Sequence, residues 1–596
     1  MMRQFLSLLG VVILAVAVPV GLSAEEAQKA SVAHIRLAGE LDEAPAADNS
    51  IFGAAENFQA KLDRIRKARQ DDSVRALLLQ LDGLSIGWGK VDELRRAIAD
   101  FRKSGKPVYA SMEEGASKDY LVAVACDKVC LPEGGWLMLV GMRSEISFYA
   151  DTLSMIGVKA DMLQMGDYKG AAEPFVRSSM SKAFREQLTC LLDDYFEYSY
   201  VGPIVKGRSA KKLSAEQVKK LIDEGPFTAR AAQAAGLVDL VAYPQQIEDA
   251  IKNELKVSEL KVVRNYGQAK DDEINLSNPF DLLKLLAPSK SSSSRKPKVA
   301  VIYAVGEIVS GKGGETLMGG SVVGSTTMIE AIRKAEEDKT VKAIVLRVDS
   351  PGGSALASDL IWNELKRCKK PLVASMGDVA ASGGYYISMG CGKIFAEPGT
   401  LTGSIGVVGG KFVTRGLFEK VHINTEVISH GANSGILSSE AEFTELQRKT
   451  MTGLMKDVYE QFLDKALQCR ARAGKKMTRT DLDSLAAGRV WTGRQAKENG
   501  LVDELGTLDD AIAAVKEMAG AKDEDLEILT LPRPRSFLDS LLERKSDARV
   551  PDLRAAVAPL LQGMPELKDR LRGVDGLLLL RREPVWTIMP YEVRSR

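Results

Sequence analysis

The residues best placed to do chemistry are a serine at the start of a helix and the glycines that could sit beside it. The run Gly377-Asp-Val-Ala-Ala-Ser-Gly-Gly-Tyr-Tyr-Ile-Ser388 follows an apolar stretch ending at Met376 and turns through small residues into a helix predicted to begin near Ser382. A hydroxyl there lies beside first-turn N–H groups and the positive end of the helix dipole, both of which favour negative charge. Upstream, Asp349-Ser-Pro-Gly-Gly-Ser354 follows another apolar stretch. Gly352 and Gly353 let backbone N–H groups approach a ligand without Cβ obstruction, and with Gly383 they could form an oxyanion hole. A serine nucleophile also needs a base. The sequence contains only His34, His422 and His430, whose spacing disfavours a histidine triad or a zinc site. A lysine is the chemical substitute if burial lowers its pKa from about 10.4 to roughly 7–8. Lys169, in Gly166-Asp-Tyr-Lys-Gly-Ala-Ala-Glu-Pro-Phe175, is the candidate, and Ser404, in Gly399-Thr-Leu-Thr-Gly-Ser-Ile-Gly-Val407, could hydrogen-bond it and orient it. Singly, these motifs read as an N-cap, a turn, a solvated lysine and a turn serine; their joint presence carries the inference.

The elements that must position these residues occur twice. Val74-Arg-Ala-Leu-Leu-Leu-Gln-Leu-Asp82 matches Val341-Lys-Ala-Ile-Val-Leu-Arg-Val-Asp349, Lys106-Pro-Val-Tyr-Ala-Ser-Met112 matches Lys370-Pro-Leu-Val-Ala-Ser-Met376, and Cys126-Asp-Lys-Val129 matches Cys391-Gly-Lys-Ile394. This is a tandem repeat with a period of about 265 residues. Short apolar runs such as 343–348 and 371–375 alternate with longer amphipathic stretches such as 356–369, the pattern of βαβ units around a largely parallel, buried sheet. The expected fold class is therefore α/β, two tandem domains. The expected division is an N-terminal segment at 1–24, a first repeat at 25–288 carrying Lys169, a polar Ser/Lys linker at 289–298, a second repeat at 299–530 carrying Ser382, and an extension at 531–596. Within the extension, 536–580 reads as helical and 585–593 as extended, with no chemistry assigned to either. Counting from the shared Lys-Pro strand, the first-repeat position that matches Ser382 is Lys118, so that half is not expected to supply the same nucleophile.

Composition narrows the function. Eighty-one Lys and Arg against eighty Asp and Glu give a net charge of +1, so no global field draws nucleic acid or an anionic membrane. Six cysteines are too sparse for a disulfide framework in 596 residues. Arg3, an uncharged apolar stretch over 4–22 and then Ser23-Ala24-Glu25-Glu26 have the order of a secretory signal. The stretch is also just long enough to span a bilayer, so a cleaved signal and a retained anchor are both open readings, and everything after Ala24 is expected on one side of the membrane.

Together, Asp349-Ser-Pro-Gly-Gly, Ala381-Ser-Gly-Gly-Tyr-Tyr, Leu401-Thr-Gly-Ser-Ile-Gly and Tyr168-Lys-Gly-Ala-Ala-Glu-Pro-Phe closely resemble the signal peptide peptidase A (protease IV) family in its long tandem form, over about residues 30–530. The resemblance implies the caseinolytic-protease/crotonase fold, repeated twice. It implies Ser382 as nucleophile, Lys169 as general base, Ser404 as the residue that orients the lysine, and main-chain N–H groups near Gly352, Gly353 and Gly383 as the oxyanion hole. No cofactor or metal is implied. It further implies cleaved signal peptides as substrates, a homo-oligomer (a tetramer) facing the membrane, and residence at the bacterial cytoplasmic membrane with the catalytic part on the extracytoplasmic side, or export if the signal is cleaved. Gly170 and Ala171, just after the lysine, and the tail beyond about 530 depart from the family pattern. A crotonase-like acyl-CoA enzyme and a non-catalytic membrane scaffold are the alternative readings. The sequence alone allows the serine and lysine to meet within one chain or between chains.

Overall fold

The computed structural model describes residues 29–45, 56–268, 294–315, 321–533 and 585–589. The N-terminal segment 1–24, the first half of the expected linker (289–293), the expected helical tail 536–580 and the end of the expected extended segment (590–593) lie outside these. Among the described residues no helix is long and apolar enough to cross a membrane.

In the first repeat the strands used below are β1 (Lys29–Ala38), β2 (Val74–Asp82), β3 (Val108–Met112), β4 (Lys128–Leu131), β5 (Lys159–Met165), β6 (Leu240–Val241) and β7 (Glu259–Val263). In the second they are β8 (Lys298–Val305), β9 (Val341–Ser350), β10 (Gly352–Ser354), β11 (Leu372–Ala381), β12 (Lys393–Ala396), β13 (Leu401–Gly403), β14 (Val407–Val413), β15 (Glu504–Leu505) and β16 (Glu527–Leu531), with β17 (Val585–Ile588) from the tail. The first sheet has the order β7-β1-β2-β3-β4-β6, and the second repeats it as β16-β8-β9-β11-β12-β15, all parallel. Both faces of these sheets are covered, which is why their strands are nearly continuous apolar runs: Ala76, Leu77, Leu78, Leu79 and Leu81 of β2 are all buried. The repeats match in detail. In each, an aspartate binds a buried arginine and accepts a strand N–H: Asp239 with Arg208 (2.7 Å) and Val129 N (2.9 Å), Asp503 with Arg470 (3.0 Å) and Ile394 N (2.8 Å).

The repeats interlock. β5 leaves the first repeat and pairs antiparallel with β14 of the second, from Met165 opposite Val407 to Lys159 opposite Val413. Both strands belong to a seven-stranded sheet that also holds β10 and β17. A largely buried ionic cluster joins the two repeats: Lys90 Nζ lies 2.9 Å from Asp349 and 2.7 Å from Asp378, while Arg347 binds Glu43 and Glu93, each at 2.7 Å. Lys90, Glu43 and Glu93 come from the first repeat and the others from the second. The repeats are thus fused through charge that neither could bury alone.

Candidate active site

Two strand ends bring the serines together. β11 does not stop at Met376 as the apolar run suggests but continues to Ala381, because its last residues change partner: Val379, Ala380 and Ala381 pair with Leu401, Thr402 and Gly403 of β13. Ser382 and Ser404 each follow immediately. Ser382 N–H donates to Gly403 O at 2.7 Å, and both serines have left-handed backbones, φ +56° and +54°. Ser382 takes the N-cap position of the helix Gly383–Ser388, which begins one residue after the start near Ser382 that the sequence predicts. Left-handed non-glycine residues cost about 1–3 kcal/mol and persist where surrounding structure fixes them; here each begins a sharp departure from a paired strand.

Lys169 arrives from the other repeat. Its loop follows β5, and the chain segment Ala487–Arg489 of the second repeat holds it: Tyr168 N–H donates to Ala487 O (2.9 Å) and the Arg489 guanidinium lies over the Tyr168 ring, 3.5 Å from its centre. The same segment fixes Ser404, whose N–H donates to Arg489 O (2.6 Å), while Gly488 N–H donates to Ile405 O (2.7 Å). Gly488 has φ +82°, and a Cβ there would come within 2.6 Å of the Lys169 main chain. The lysine reaches its place only because this position has no side chain.

Lys169 Nζ then lies 2.7 Å from Ser382 Oγ, 2.9 Å from Ser404 Oγ and 2.9 Å from Ser404 O, all within one chain. Lys169, Ser382 and Ser404 are buried, none more than 1% exposed. A neutral amine has two N–H donors and one lone pair, which suits two acceptors on Ser404 and one hydroxyl proton on Ser382; an ammonium ion has three donors and no acceptor. Burial with no carboxylate nearby pushes Lys169 well below the ordinary amine pKa. Lys90 is the contrast. It is equally buried, and burial opposes its charge, but Asp349, Asp378 and Glu43 outweigh that and hold its pKa well above the ordinary value.

The glycines form the other wall. An ideal Cβ on Gly383 would lie 3.1 Å from Gly353 N and 3.0 Å from Gly352 Cα, so the main chains of the two glycine motifs adjoin beside Ser382. Gly352 N–H already donates to Ser350 Oγ at 3.1 Å. Gly383 opens its helix, where N–H groups have no partner within the helix. Asp349, which precedes the Ser-Pro-Gly-Gly run, accepts Val379 N–H at 3.0 Å and pairs with Lys90, so it serves the repeat interface.

In the first repeat the corresponding helix is Ser117–Ala123, capped by Ala116. The structural counterpart of Ser382 is therefore Ala116, two residues before the Lys118 obtained by counting, because the first-repeat strand is shorter. Ser117 Oγ there donates to Met138 O (3.1 Å) and shares a hydrogen bond with Tyr200 OH (3.0 Å).

The residues missed in the sequence are Gly488 and its neighbours. Their signal was available, since Gly236-Leu-Val-Asp239 and Gly500-Leu-Val-Asp503 extend the repeat past them. No cluster of His, Cys, Asp or Glu among the described residues is arranged to hold a metal ion.

Comparison with known proteins identifies the family. The model of peptidase family S49 matches twice, at residues 100–258 and 364–522. The serine protease SPPA of Arabidopsis thaliana chloroplasts is 33% identical over 531 residues, covering 87% of this chain and 74% of the relative. Protease 4 of Salmonella typhi is 31% identical over 529 residues, 87% and 79% respectively, and Protease 4 of Haemophilus influenzae is 30% identical over 470 residues, 77% and 72%. With two copies of the family's domain and relatives aligned over most of its length, this chain belongs to peptidase family S49 and is a serine peptidase.

Proposed function

We propose that Ser382 is the nucleophile and Lys169 the general base of an endopeptidase that cuts extended, apolar peptides. The observation that carries this is the 2.7 Å approach of a buried lysine without a counter-charge to a buried serine hydroxyl at a helix start. Neutral Lys169 takes the Ser382 proton as Oγ attacks a peptide carbonyl. The oxyanion is held by the main-chain N–H groups of Gly383 and Gly353, and Gly352 contributes by having no side chain. Lys169, now protonated, gives its proton to the leaving amine; the neutral amine then activates water to release the acyl group from Ser382. Ser404 holds Nζ through its hydroxyl and carbonyl and thereby positions the lone pair.

The substrate class is cleaved signal peptides, on the motif resemblance and on the similarity to an Enterococcus faecium relative named putative signal peptide peptidase SppA, 33% identical over 223 residues. Residence at the cytoplasmic membrane through the segment 1–24, an extracytoplasmic active site and a homotetramer belong to the same proposal, as does the division into repeats at 25–288 and 299–530. The test is cleavage of a synthetic signal peptide by wild type, Ser382→Ala and Lys169→Met, with circular dichroism to confirm folding. Both variants should be folded and inactive; cleavage by Ser382→Ala would refute the nucleophile, and a folded wild type that cuts no apolar peptide would refute the substrate class.

A further inference from the structure

The tail residues to which the sequence assigns no chemistry lie in the cleft beside Ser382. β17 runs antiparallel between two strands of the second repeat, with Gly352, Gly353 and Ser354 of β10 opposite Ile588, Thr587 and Trp586, and Val408 and Gly409 of β14 opposite Trp586 and Val585. Met589 N–H extends the ladder to Pro351 O at 2.8 Å, and Thr587 Oγ donates to Gly353 O at 3.2 Å. β10 and β14 do not pair with each other; without β17 each would present an unpaired edge across the cleft. Adding a strand between such edges is how an extended peptide is recognised through its main chain.

The register sets one carbonyl against the reactive groups. A Cβ on Gly352 would lie 2.1 Å from Thr587 O and 2.6 Å from Gly383 N, so the Thr587 carbonyl enters the small space beside the Gly383 amide, the residue after Ser382. The flanking side chains are seated too. Trp586 is buried against Ala171, Ala172 and Val408, just past Lys169, and Val585 packs in the apolar cluster of Phe443, Met451 and Met455. An apolar strand whose successive side chains Val585 and Trp586 pack into two separate apolar clusters, with a carbonyl beside the helix start, has the arrangement expected of a substrate.

We infer that Val585–Met589 is a built-in pseudosubstrate, a strand that occupies the substrate cleft and holds the peptidase closed until it is displaced. This rests on the Ser382/Lys169 reading above. Substrate and tail compete for the same edges of β10 and β14, so apparent affinity falls by the fraction of molecules with the cleft open. A strand seated about nine-tenths of the time lowers kcat/KM about tenfold.

The test compares full-length wild type with Trp586→Asp and with a chain ending at residue 584, by kcat/KM on a synthetic apolar peptide and by the rate at which a fluorophosphonate labels Ser382. Amide hydrogen exchange at Gly353 and Val408, opposite Thr587 and Trp586, reads the cleft edges directly. The expected result is about a tenfold rise in kcat/KM and in labelling rate for both variants, with faster exchange at those amides, and inhibition of the shortened chain by a synthetic peptide of residues 583–591. Faster exchange without faster labelling or cleavage would overturn the inhibitory role, as would unchanged exchange. Mass spectrometry showing wild type cut after Thr587 would make the strand a substrate and also overturn it. If Ser382→Ala cleaves like wild type, the dyad reading has failed, whereas the exchange measurement still reports whether the tail sits in the cleft.

Discussion

Replacing Ser404 with alanine tests the positioning of the lysine most directly. Lys169 Nζ has three neighbours, and two of them, the hydroxyl and the carbonyl at 2.9 Å, belong to Ser404. Ser404→Ala removes one and leaves the other. A hydrogen bond is worth about 0.5–1.5 kcal/mol between neutral groups and about 1.5–3 kcal/mol to a charged one, and about 1.4 kcal/mol is a factor of ten in rate, so kcat/KM should fall about ten- to hundredfold. The pH profile should move as well. The hydroxyl accepts an N–H more strongly from the ammonium form than from the amine, so its loss lowers the Lys169 pKa further and shifts the alkaline-rising limb of kcat/KM towards lower pH. Ser404→Gly separates chemistry from folding. Glycine relieves the strain of φ +54°, about 1 kcal/mol, and loses a similar amount through the freer unfolded chain. Its melting temperature should therefore stay near that of wild type, with the same loss of activity as Ser404→Ala. The assay is peptide cleavage from pH 5 to 10 with thermal unfolding on the same samples. Activity within twofold of wild type with an unmoved limb in both variants would refute the role given to Ser404.

Lys169→Met should change how stability depends on pH. Because burial lowers the folded-state pKa of Lys169 below its unfolded value, the unfolded chain binds more protons between the two, and wild-type stability rises with pH across that window, ending near about pH 10.4. The penalty is complete below the folded pKa, so the methionine variant should be more stable than wild type there and lose its advantage as pH rises; parallel urea titrations at several pH values check this. Gly488→Ala would place a Cβ within 2.6 Å of the Lys169 main chain, so cleavage should fall at least as far as in Ser404→Ala, with fluorophosphonate labelling of Ser382 slowed in parallel. Lys90→Met would leave Asp349 and Asp378 without their cation, while Glu43 keeps Arg347, at a cost of about 3–5 kcal/mol, read as a lower urea midpoint.

Much of this protein is legible in its sequence. The duplicated apolar strands dictate two parallel sheets because each strand, covered on both faces, must be apolar throughout, and the scarcity of histidine directs attention to lysine as a base. The Ser-Pro-Gly-Gly and Ala-Ser-Gly-Gly runs mark tight approaches of main chain, which glycine alone permits. Other features have no local signature. Lys90 and Lys169 are both buried lysines of the first repeat, yet three carboxylates surround one and two serines the other, and those neighbours come mostly from the second repeat. The continuation of β11 past Met376 depends on its pairing with β13, and the place of Val585–Ile588 depends on two edges separated from it by more than a hundred residues. Side-chain type, periodicity and glycine placement are properties of a segment and can be read along the chain. Desolvation, counter-charge and the pairing of an open strand edge are sums over atoms brought together from distant segments, so only the tertiary structure decides which lysine is poised to act as a base and which strand fills the cleft.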